Sequence, residues 1–138
     1  MVSKKLALVF GRGRLMAYRK YKATKTTVDG IKFDSKKEAK RYLQLKELEK
    51  NGDIKNLKRQ IKYELIPAQR EPDAVGKRGG KIKGKLIEKA WTYRADFTYT
   101  DTKTGEYVVE DVKGFKTPEY RAKKKAMLYF HGIKIKEV

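Results

Sequence analysis

Trp91-Thr92-Tyr93-Arg94-Ala95-Asp96-Phe97-Thr98-Tyr99-Thr100 alternates large or apolar side chains with polar ones at every step. A period of two with β-branched and aromatic enrichment predicts a strand with one apolar and one polar face, and Asp96 falls on the polar face. Thr102-Lys103-Thr104-Gly105 follows as a turn, and Glu106 to Lys113 reads as the returning strand of an antiparallel hairpin. Side chains two apart on a strand share a face, so Asp111 and Lys113 point one way while Glu110 and Val112 point the other. With Asp96 near the centre of the partner strand, Asp96 and Asp111 are expected to converge and to share a divalent cation.

Outward from this hairpin the remaining elements follow from caps and periodicity. Ser35 with Glu38 three residues on forms a capping box, opening a helix whose core face is Ala39, Tyr42, Leu43, Leu45 and Leu48 and which Asn51-Gly52 ends. Leu57 to Ile66 reads as a strand before Pro67. Residues 67–85 read as a loop, with five basic residues and four glycines between Gly76 and Lys85. Thr117 as cap and Pro118 at the first helical position start a second helix that runs to about His131, with Tyr120, Met127 and Leu128 as its core stripe. Ile133 to Val138 is a last short strand. The order helix, strand, strand, strand, helix, strand predicts an α/β (α+β mixed) sandwich. We divide the chain into a basic arm over 1–28, with a short strand at Leu6–Phe10, and one domain over 29–138 carrying a flexible basic loop at 76–85.

The chain has 138 residues, 36 Lys and Arg against 17 Asp and Glu, and a formal net charge of +19. Such an excess points to a polyanionic partner, nucleic acid first and an anionic membrane second. The first 28 residues hold eight basic and no acidic side chains, Arg12, Arg14, Arg19, Lys20 and Lys22 among them. Lys77, Arg78, Lys81 and Lys83 in the 76–85 segment, and Arg121 and Lys124 on the second helix, are further candidates for phosphate contact. No stretch approaches 18 apolar residues, which predicts a soluble, unexported, cytoplasmic protein with no membrane partner.

Without cysteine and with one histidine, His131, thiol nucleophiles, Cys-based zinc sites and a Ser-His-Asp relay are excluded or nearly so. Carboxylates are then the available metal ligands, and Mg²⁺ or Mn²⁺ the matching cations. His131 is read as a cap for carbonyls at the end of its helix. Gly79 to Leu86 nearly spells a phosphate-binding P-loop, but Leu86 stands where Ser or Thr must bind magnesium, and no nucleotide cofactor is expected. Nothing supports base-specific readout. An Asp-x-Lys pair on a strand is by itself an ordinary salt-bridging face. Its placement opposite Asp96 in so basic a chain gives it a chemical reading: the metal supplies Lewis acidity, and Lys113 orients water or stabilises a pentavalent phosphate.

Asp96, Asp111-Val112-Lys113 and an upstream helical Glu38 resemble the PD-(D/E)xK nuclease superfamily, and the resemblance covers residues of about 18 to 138. More closely, Lys20-Tyr21-Lys22-Ala23, Gly30 to Ala39, Ala95-Asp96-Phe97 and Val109 to Gly114 resemble a small phage-encoded family described as a domain of unknown function, itself similar to archaeal-type Holliday junction resolvases. The resemblance implies an αβββαβ restriction-endonuclease-like core with a central mixed sheet flanked by helices. It further implies a metal-dependent DNA endonuclease with Asp96 and Asp111 as ligands, Lys113 as catalytic lysine, and Glu38 as a third carboxylate. If the chain is phage-encoded, the host cytoplasm is its setting. Ala95 replaces the proline of the named motif, and Asp111 takes an acid position often held by Glu. The capping box alone also accounts for Glu38. Gln60 resembles a polar position near such active sites, with a cross-strand hydrogen bond as the other explanation.

The expectation is a Mg²⁺-dependent, structure-selective endonuclease, resolving four-way DNA junctions as a two-fold homodimer, since two symmetric cuts need two sites. A nicking, fork or packaging nuclease and a non-catalytic basic DNA-binding protein are the alternatives.

Overall fold

The structure is a computed structural model that describes residues 25–112 and 116–138. The basic arm through residue 24, with Arg12, Arg14, Arg19, Lys20 and Lys22, and the candidate Lys113 lie outside the described residues. The chain falls into two compact units, one through Gln44 and one from Leu45.

In the first unit, β1 (Thr26–Val28) and β2 (Ile31–Phe33) pair antiparallel around Asp29-Gly30. Both turn residues have positive φ, 53° and 75°, the geometry of the tight hairpin turn that Asp-Gly favours. Thr26 to Val28, at the end of the basic segment, are thus a strand. Helix α1 (Lys36–Lys50) opens where expected, with the Ser35 hydroxyl accepting the Glu38 N–H at 3.1 Å. Phe33 and Tyr42 are buried with ring centroids 5.1 Å apart.

The second unit is built on β3 (Ile54–Ile66), β8 (Trp91–Asp101), β9 (Tyr107–Asp111) and β10 (Lys136–Glu137), in sheet order β10-β9-β8-β3. The β3/β8 and β8/β9 pairs are antiparallel and β9/β10 is parallel. Helix α2 (Pro118–His131) makes the crossover to β10, so from α1 onward the main elements follow one another along the chain as α, β, β, β, α, β. The end of α1 is a Schellman turn: Asp53 N–H reaches Leu48 C=O, Gly52 N–H reaches Glu49 C=O, and Gly52 has φ 83°. Thr117 caps α2 through its hydroxyl, which accepts Tyr120 N–H at 3.0 Å, and Gly132 at φ 66° closes it. Leu65, Tyr93, Ala95, Val109, Tyr120, Ala126, Met127 and Ile135 form one buried cluster between sheet and α2.

Three expectations shift. Leu43 and Leu128 are exposed, because the buried arcs of their helices are narrower than the apolar sequence positions suggest. His131 does not cap its own helix; its Nε2 sits 2.7 Å from the Glu64 carbonyl and ties the end of α2 to β3. Residues 67–85 are not a plain loop. β4 (Gln69–Arg70) pairs with β7 (Leu86–Glu88), and β5 (Ala74–Val75) with β6 (Lys81–Ile82), so β3 and β8 continue outward as a nested antiparallel hairpin. Its waist is Gly84, whose N–H is accepted by Asp73 Oδ1 at 2.8 Å and whose C=O accepts from the Arg70 guanidinium at 2.9 Å. Among the described residues no helix is long and apolar enough to cross a membrane.

A Cβ on Gly84 would lie 1.7 Å from the Glu71 carbonyl oxygen, which is backbone and cannot step aside. Gly84→Ala is therefore expected to unpair the hairpin extension while the β3/β8 core stays folded. Amide hydrogen exchange checks this: protection at Glu71 and Gly84 is lost and protection at Ala95 and Phe97 is kept.

Candidate active site

Strand β8 meets β9 in a register that places Thr98 across from Val109 and Phe97 across from Glu110. The pairing ends there, with Asp96 next to Phe97 on β8 and Asp111 next to Glu110 on β9. Both main-chain neighbours hold this end of β9 in place. Asp96 Oδ2 accepts the Val112 N–H at 2.7 Å, and Val138 N–H donates to the Asp111 carbonyl at 3.1 Å from the β10 side. Asp96 thereby fixes the backbone immediately before Lys113.

Gln60 stands on β3 between the pairs Arg59↔Phe97 and Ile61↔Ala95, level with Asp96. Its side-chain amide donates to Asp96 Oδ1 at 3.4 Å, the cross-strand hydrogen bond anticipated for it. Its φ is 54°. A non-glycine residue in this region costs about 1–2 kcal/mol, and such residues concentrate where a side chain must be aimed.

Asp111 is 1 % exposed, and Oδ2 accepts the Tyr93 hydroxyl at 2.5 Å. Burial, this hydrogen bond and the charges of Asp111 and Asp96 all push the Tyr93 phenol upward, so it remains a neutral donor. Tyr120 is also raised, by burial, by its hydrogen bond to Glu137 and by the same two aspartates. Two phenols therefore sense the charges of Asp96 and Asp111 together. Glu110 is fully buried, accepts a hydrogen bond from Tyr99, and has the Lys136 ammonium 4.0 Å away. Consecutive buried residues at Glu110 and Asp111, and at Phe97, Thr98 and Tyr99, mean that both faces of the sheet are covered here.

Glu38 lies in the first unit, 5 % exposed in the first turn of α1. Among the described residues no group of three or more His, Cys, Asp and Glu side chains forms a metal-binding cluster. Asp96 with Asp111 is a two-carboxylate arrangement of hard oxygen donors. It fits Mg²⁺, which takes one or two carboxylates and completes its octahedron with water and substrate phosphate. A cavity of about 250 Å³ is lined by Tyr93, Arg94, Thr117, Glu119, Tyr120 and Lys123 at the N-terminus of α2. That end of a helix favours anions, although the Lys123 ammonium is 3.4 Å from Glu119.

The predicted cations divide. Lys77, Arg78, Lys81 and Lys83 are exposed on the hairpin extension, with Lys81 paired to Asp73 at 3.2 Å. Arg121 is exposed on α2 and makes no ion pair among the described residues, whereas Lys124 is 3.3 Å from Glu137. Tyr93 and Tyr120 were missed from sequence, because aromatics at alternating or helical spacing read as core and their hydroxyls carry no pattern.

A mixed α+β protein built on a four-stranded mixed sheet is the class that the fold defines. Residues 18–137 match the family model described as a protein of unknown function, DUF1064, and the chain belongs to that family. No curated protein and no solved structure gives a significant match.

Tyr93→Phe removes the donor to a buried carboxylate and is expected to destabilise the fold by about 1.5–3 kcal/mol, read from urea unfolding. Glu137 offers a pH test. Tyr120, Lys116 at 2.9 Å and Lys124 lower its carboxyl from an ordinary 4.5 to about 2. A depressed folded-state value contributes stability that is complete above about pH 4.5 and lost as pH falls through about 2. The melting curves of Glu137→Gln and the parent protein should therefore differ most above pH 5 and converge near pH 2.

Proposed function

We propose that the protein is a metal-dependent DNA endonuclease of the PD-(D/E)xK type, selective for branched DNA and acting on four-way junctions as a homodimer. The observation that carries the reading is the placement of Asp96 and Asp111 on adjacent strands, with Asp96 Oδ2 accepting the N–H of Val112 next to Asp111, in a chain of net charge +19. A divalent cation, Mg²⁺ or Mn²⁺, bound there supplies Lewis acidity and a more acidic water. Tyr93 orients the Asp111 carboxylate, and Gln60 and the Val112 N–H orient that of Asp96. Lys113, two residues beyond Asp111 on the chain, is assigned the orientation of the attacking water and stabilisation of charge on the phosphate. Arg94, Lys123 and the start of α2 favour a phosphate beside the carboxylates. Glu38 enters from the sequence resemblance as a third carboxylate, and its substitution is a separate test. Cations on the hairpin extension and α2 give salt-sensitive backbone contact.

Purified protein with Mg²⁺ or Mn²⁺ is expected to cut a synthetic four-way junction in preference to linear duplex and flap DNA. Asp111→Asn and Asp96→Asn should each lower the rate by more than the roughly 10–100-fold typical of outer-shell partners, with junction binding retained. Cleavage of flap or nicked DNA instead supports a fork or nicking enzyme. Intact DNA under conditions of saturated binding sinks the hydrolytic reading and leaves a basic DNA-binding protein.

A further inference from the structure

On the far end of α2 from the acidic pair, an open groove of about 460 Å³ is lined by Trp91, Ala122, Lys125, Ala126, Tyr129 and Phe130. Tyr129 is 81 % exposed and Phe130 50 %, and their rings meet edge to face with centroids 5.0 Å apart. Ala122 and Ala126, one turn apart, leave room between the aromatic walls. Trp91 forms another wall at the base of the hairpin extension, where it pairs with Ile66.

Flat aromatic walls, a small-residue floor and one ammonium are a poor match for a polar small molecule, which needs directed hydrogen bonds. They suit planar rings that carry their own charge alongside. Arg121, Lys125 and Tyr129 recur at four-residue spacing and so share a helix face, with the two cations successive turns from the rings. Neither Arg121 nor Lys125 makes an ion pair among the described residues. A second copy of this chain is disfavoured as occupant, since a two-fold interface here sets Arg121 and Lys125 against their own duplicates in a protein of net charge +19. A nucleic acid strand complements both features, offering phosphates to the cations and π-faces to the rings.

We propose that this groove is a stacking site for unpaired nucleobases of single-stranded DNA, with Arg121 and Lys125 on the flanking phosphates. The inference needs no metal and stands or falls apart from the hydrolytic reading.

Trp91 is the single tryptophan, so its fluorescence reports occupancy of the groove directly. The full chain is titrated in EDTA with an oligothymidine of about 15 nucleotides and with an abasic strand of equal length and charge. Oligothymidine is expected to quench Trp91 and to bind about 5- to 100-fold more tightly than the abasic strand, which leaves the emission unchanged. Tyr129→Ala with Phe130→Ala removes exposed rings and should reduce oligothymidine affinity by about tenfold or more, at unchanged circular dichroism. Equal affinity and equal quenching with the two strands overturn the proposal, whatever the variant does. A double variant that turns a dimer into a monomer on light scattering, with oligothymidine affinity unchanged, overturns it in favour of self-association.

Discussion

The register between β8 and β9 sets where every polar group of the central sheet ends up. Opposed residues on antiparallel strands share a face, and a slip of one residue sends each side chain to the other face. Phe97 opposite Glu110 and Thr98 opposite Val109 fix the count. The register is over-determined. Phe97 and Val109 are buried and must stay so, Tyr99 reaches Glu110, and Asp96 reaches the Val112 N–H. A slip would break the last two bonds and move the buried apolar set together.

That register carries a thermodynamic burden, because it places two consecutive carboxylates, Glu110 and Asp111, almost wholly out of water. Desolvating a carboxylate costs several kcal/mol, and a hydrogen-bonded donor returns only part of it. The fold supplies one phenol to each, Tyr99 to Glu110 and Tyr93 to Asp111. Tyr93 is a suitable donor because burial and the nearby negative charge push its pKa upward, so it keeps its proton where the Asp111 carboxylate needs it. Well-packed apolar residues would fill such positions at lower cost.

The main element order was legible because each boundary has a local chemical cause: the Ser35 hydroxyl, the left-handed Gly52, Thr117 with Pro118, and Gly132. The hydrogen bond from Gln60 to Asp96 was legible for a related reason, since side chains level with each other on adjacent strands come within reach. Asp29-Gly30 carried a hairpin signal that the basic charge of its surroundings obscured. The hairpin extension could not be read from a window of sequence. Its two-residue ladders depend on Gly84 meeting Glu71 and Asp73 across the strand pair, a contact that composition hides behind glycines and lysines. Exposure of Leu128 and the hydroxyl roles of Tyr93 and Tyr120 are tertiary facts as well.

Two carboxylates of the central sheet and the exposed cations lie at different depths, and the difference has mechanical sense. Lys77, Arg78, Arg121 and Lys125 are exposed, whereas Glu110 and Asp111 are buried on the central sheet. Exposed cations act through solvent over roughly a Debye length, about 8–10 Å, and serve to gather a polyanion. Carboxylates shielded by protein act only at contact, where a lower dielectric makes each oxygen a stronger ligand or acceptor. Reversing the two layers would repel the phosphate backbone at long range and leave lysines to bury. The chain can therefore hold acidic side chains at its centre without losing the attraction that a net charge of +19 provides at its surface.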